Sequence, residues 1–102
     1  MHLIQLFLPL YDNDGQAFAK PLFDTVRGEL TERFGGVTAF VRSPAVGAWE
    51  DHSGDVQRDD VVLFEVMADH VDHGWWAAYR AQLEQRFQQD EVLVRAVRAE
   101  RL

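Results

Sequence analysis

Four segments of this chain alternate between an apolar and a mixed side-chain parity, and that alternation limits what they can become. One parity reads Ile4, Leu6, Leu8; Val37, Ala39, Val41; Val62, Phe64, Val66; and Val92, Val94, Ala96. The other reads Leu3, Gln5, Phe7; Thr38, Phe40, Arg42; Leu63, Glu65, Met67; and Leu93, Arg95, Val97. Successive side chains on a strand point to opposite faces. The first parity therefore predicts a core face. The second predicts a face too apolar for open water, yet interrupted on every strand by a polar group.

The stretches between these segments decide how they connect. Phe18, Leu22, Val26, Leu30 and Phe34 recur at helical spacing. Pro21 is tolerated only in a first turn, and Gly35-Gly36 supplies a stop, so a helix is predicted over about 20–34. Trp76, Tyr79, Leu83 and Phe87, with Trp75 alongside, form a second stripe. Asp69 or Asp72 can cap that helix, which should run to about residue 89. The strands are expected at about 2–10, 37–42, 59–68 and 91–99. A hairpin centred on Ser53-Gly54 would set Arg42 opposite Glu65, with Pro44 and Gly47 able to shift that register through a bulge.

The element order is thus β-α-β-β-α-β. With right-handed crossovers it yields an α+β fold, the ferredoxin-like plait. That plait has a four-stranded antiparallel sheet in order 4-1-3-2 and both helices on one face. A chain of 102 residues forms one such domain, spanning 1–102. In this order the mid-strand polar residues fall into one row across the open face: Arg95, Gln5, Glu65 and Arg42. An arginine fork suits a carboxylate.

Two coverings satisfy such a face. A second copy would bury the apolar residues and turn the row into intersubunit pairs. A small, partly apolar, anionic molecule would find apolar walls and convergent polar groups. The candidate ligand contacts are Gln5, Phe7, Phe40, Arg42, Trp49, Glu65 and Arg95. As an enzyme, the chain would use Glu65 as general base. The remaining alternative is a purely structural or protein-interaction module.

The chain resembles the dimeric α+β barrel superfamily at this level, through its strand order, its length and its doubly apolar sheet. The stretches Val37-Thr38-Ala39-Phe40-Val41-Arg42 and Asp60-Val61-Val62-Leu63-Phe64-Glu65-Val66-Met67, with Trp75-Trp76, look most like uncharacterised bacterial members. The resemblance implies a homodimer or higher homo-oligomer. It brings no catalytic signature of an enzyme branch; the branches include cofactor-independent monooxygenases and isomerases.

Composition narrows the partners. A net charge of −7 argues against nucleic acid and anionic lipid. The absence of cysteine removes thiol chemistry and fits a cytoplasmic protein. The first strand is broken by Pro9 and Asp12, so it reads as neither signal peptide nor membrane span. No cofactor is implied. His70 and His73, three apart among Asp69 and Asp72, are the only metal-ligand candidates, and the helix-start reading of those carboxylates competes with them. His2 and His52 are expected to be solvated. Trp49 is expected to dock on a partner or line a pocket.

Overall fold

A computed structural model describes residues 1–42 and 60–102, with residues 40–42 in backbone only. It contains β1 (His2–Pro9), α1 (Lys20–Phe34), β2 (Thr38–Arg42), β3 (Val61–Ala68), α2 (His73–Arg86) and β4 (Leu93–Arg98). The strands form one antiparallel sheet in the order β2-β3-β1-β4, which is the expected order read from the other edge.

The apolar parity builds the core. Ile4, Leu6, Leu8, Val62, Phe64 and Val66 are buried with Val26 and Leu30 of α1 and Trp76, Tyr79 and Leu83 of α2. Both helices therefore cover the same face of the sheet. No polar or charged residue is fully buried among the described residues. Such a core needs no internal polar network, whose unmet hydrogen bonds would each cost stability.

The helix ends follow local chemistry. Pro21 lies in the first turn of α1, where no backbone donor is lost. Gly35 closes that helix at φ 80°, donating its N–H to the Thr31 carbonyl. Asp72, rather than Asp69, caps α2, its carboxylate accepting from the Trp75 N–H at 3.0 Å. The helix ends at Arg86, three residues short of expectation. Gln88 turns to positive φ, and the Glu84 carboxylate accepts the Val92 N–H at 3.0 Å, leading the chain into β4.

The β2–β3 register differs from expectation. Thr38 pairs with Glu65 and Arg42 pairs with Val61. The shift is four residues, an even number, so every β2 residue keeps its face. A pattern of period two cannot distinguish registers that differ by an even step. The expected turn at Ser53-Gly54, the bulge at Pro44 or Gly47, and Trp49 lie outside the described residues.

Candidate functional site

The outer face of the sheet carries the mixed parity, and its three central members are joined. Gln5 stands directly opposite Glu65 on one side and Arg95 on the other. Its amide nitrogen donates to Glu65 Oε2 at 2.7 Å. Arg95 Nε donates to Gln5 Oε1 at 2.7 Å. One amide thus links a cation on edge strand β4 to an anion on β3. The Arg95 guanidinium also lies 5.0 Å from the centre of the Phe7 ring, a cation–π distance.

The fourth place in the row belongs to Thr38, which is exposed, and not to Arg42. Arg42 is one of the expected site residues that the structure moves out of the row. Phe40 pairs in backbone with Leu63.

The row is not saturated. Among the described residues, Glu65 Oε1 accepts no hydrogen bond, and the two terminal nitrogens of Arg95 donate none. Around it, Met67, Leu93 and Val97 are exposed to 41%, 51% and 40%. Leu3 and Phe7 are half-buried, while Leu63 is buried. Water-facing strands normally carry polar side chains on that parity, so this face is apolar for its exposure.

A shallow groove of about 360 Å³ borders Glu65, lined by Phe34, Gly35, Gly36, Val37, Thr38, Val66 and Met67. A second groove, about 300 Å³, runs between α2 and β4 over Ile4, Trp76 and Val94.

The histidine cluster does not assemble. His70 precedes α2, which begins at His73, because the cap is Asp72. The two histidines therefore do not share a helix face. Among the described residues, no group of three or more histidine, cysteine or carboxylate side chains converges on a metal position. His2 departs from the solvated expectation: its Nδ1 is buried without a hydrogen-bond partner. Its parity, shared with Ile4, turns it toward the helices.

The strongest polar cluster in the described structure escaped sequence reasoning. Glu29 of α1 accepts from both terminal nitrogens of Arg86 on α2, with Arg86 Nη2 at 2.8 Å from Oε2, and from the Tyr79 hydroxyl at 3.0 Å. Arg86 holds the Glu29 carboxyl below its usual range. Burial, and then the Glu29 charge, push the Tyr79 phenol above its usual 10.0. Beside this clasp, Trp75 stacks on Tyr79 with ring centres 4.8 Å apart, and the Arg33 guanidinium sits 4.2 Å from the Trp75 ring centre. Trp76 is the core tryptophan and Trp75 the half-buried one.

No family model and no curated protein matches the chain. Among solved structures it is similar to a phage SAM lyase in complex with S-methyl-5'-thioadenosine, at a TM-score of 0.63 and 15% identity. The match covers 94% of this chain and 79% of that one. At this identity the likeness is one of fold, a small α+β sheet domain. No described helix is long and apolar enough to cross a membrane.

Proposed function

We propose that this chain is a ferredoxin-like plait that works as a homodimer, closed through the outer face of its sheet. The observation that carries this is the exposure of Met67, Leu93 and Val97 around a polar row with unused hydrogen-bonding capacity. A solvated face would place polar side chains at those positions. The groove bordering Glu65 is open to solvent, whereas small-molecule sites enclose most of their ligand's surface. A second sheet removes the apolar side chains from water and offers partners to the row.

The face of four short strands spans on the order of 400 Å² in plan. It falls below the roughly 800 Å² per partner of a standard interface. The expectation is accordingly a dimer that dissociates on dilution. Lack of cysteine fits a cytoplasmic setting for it.

The test is the solution mass by light scattering over a dilution series. The wild type should move from twice the chain mass to one chain mass. Val97→Glu should stay at one chain mass throughout. A wild type that remains monomeric at every concentration refutes the proposal.

A second reading follows from the groove beside Glu65. Its free Oε1 would accept from a hydroxyl or amine of a small, partly apolar ligand, and in an enzyme it would act as general base. The fold neighbour's ligand, a thioadenosine, has hydroxyls and an amine of that kind. Titration calorimetry with S-methyl-5'-thioadenosine tests this directly. Binding lost in Glu65→Gln supports the reading, and no heat in the wild type removes this ligand.

A further inference from the structure

We propose that the two copies exchange charges across a two-fold axis that runs along β1, so that Arg95 of each chain pairs with Glu65 of the partner subunit. This rests on the sheet-face homodimer above and fixes how its halves meet.

Arg95, Gln5 and Glu65 lie at one level on β4, β1 and β3. Strands are about 4.8 Å apart. The cation and the anion therefore stand at equal distances on either side of Gln5. Face-to-face packing of identical sheets requires a two-fold axis lying between them. In packings that align the strands of the two sheets, that axis runs close to the strand direction or close to the perpendicular across them.

Running across the strands, along the row, it returns each row residue to the same lateral place. Arg95 would face Arg95 of the partner subunit, and Glu65 would face Glu65 of the partner subunit. Like charges brought together at an interface are strongly unfavourable. Running along β1, the axis exchanges left for right and keeps the level. Arg95 then faces the oppositely charged Glu65 of the partner subunit, and Gln5 faces its own copy. An amide is both donor and acceptor, so that self-contact is also complementary.

The apolar levels suit either axis, since the axis across the strands would set Val97 over the partner's Leu93, so the charges decide. Leu3 is paired with Met67 on one side and Val97 on the other. Exchange across β1 sets Val97 over the partner's Met67, joining two exposed apolar side chains. At the other level Phe7 is flanked by Leu63 and Leu93. Exposed Leu93 then lies over the partner's Leu63, a side chain already buried within its own chain, so Val97 and Met67 carry the apolar contact. Twisted sheets cross at about 30°, which displaces groups one strand from the axis by only about 2–3 Å. A long arginine side chain covers that offset. The groups left open, the Arg95 terminal nitrogens and Glu65 Oε1, are the ones this pairing uses.

The experiment uses two single charge reversals, Arg95→Glu and Glu65→Arg, alone, combined in one chain, and mixed as separate chains. Native mass spectrometry and light scattering report assembly, and circular dichroism reports folding. Each reversal alone should weaken self-association at least about tenfold, since close interfacial charge pairs couple that strongly. Mixing the two should give a heterodimer, because both exchanged pairs then have opposite signs. The double reversal in one chain should form a homodimer again. A folded mixture that stays monomeric while the wild type dimerises overturns the exchange and leaves the sheet-face dimer standing. A monomeric wild type overturns both. If either reversal fails to fold, Arg95→Gln and Glu65→Gln replace them: wild-type dimerisation should weaken with added salt, and dimerisation of these two should not. Equal salt dependence in all three overturns the pairing.

Discussion

Two clusters in this molecule use the same chemistry and end in opposite conditions. Between the helices, Glu29 spends both carboxylate oxygens on Arg86 and Tyr79. On the outer face of the sheet, Glu65 spends one oxygen on Gln5, and Arg95 one nitrogen. The first cluster is closed within the chain. The second is open on the outer face of the sheet. Saturation separates a carboxylate–arginine pair that holds a fold together from one whose remaining capacity is directed outward. A similar contrast appears between the two faces of the sheet: Phe64 of β3 is fully buried on one, and Leu93 of β4 is half-exposed on the other.

The largest test of this contrast sets the faces against each other. Phe64→Ala removes a fully buried ring and should cost about 3–5 kcal/mol of unfolding free energy. Leu93→Ala should leave the dilute monomer within about 0.5 kcal/mol of wild type while weakening association. Urea unfolding below the association range measures both. Equal losses would mean that the outer face is already packed within one chain.

The clusters should separate next. Glu29→Gln should cost the monomer about 1 kcal/mol, a figure kept low because Glu29 and Arg86 are partly solvated. Glu65→Gln should cost it less than about 0.5 kcal/mol and act on assembly instead. A monomer equally sensitive to both would show the outer row to be structural.

The smallest effects lie in the pH dependence. The Glu29 carboxyl is lowered in the folded state, so its contribution is complete above about 4.5 and disappears as pH falls through the folded value. Glu29→Gln should flatten that acid limb. Tyr79 is raised, so above about 10 the unfolded chain releases a proton that the folded chain keeps. Stability must then fall with rising pH, and Tyr79→Phe should remove that slope. Thermal unfolding across both limbs reads the two together.

Much of this arrangement was legible in the sequence because it is periodic. The stripe Trp76, Tyr79, Leu83 and Phe87 is buried as its spacing demands. The bounds of α1 follow from Pro21 and Gly35, and three members of the outer row follow from strand order. What escaped was not periodic. Placing Arg42 beside Glu65 required a register, and alternation is blind to an even slip. Glu29 and Arg86 are 57 residues apart, and only the packing of two helices joins them. The choice of Asp72 over Asp69 as cap rests on one hydrogen bond, and it decided that His70 stands outside α2. His2 was readable after all, since it shares the parity of Ile4.

The proposed homodimer requires a second copy to cover the outer face of the sheet. Hydroxyl-radical footprinting at rising protein concentration tests it most directly, with Met67 and Leu93 as reporters and fully exposed Leu102 as the reference. Met67 and Leu93 should become protected as concentration rises, Leu102 should not change, and Val97→Glu should abolish the protection. Reactivity of Met67 and Leu93 that stays at the level of an exposed side chain at every concentration would contradict the homodimer.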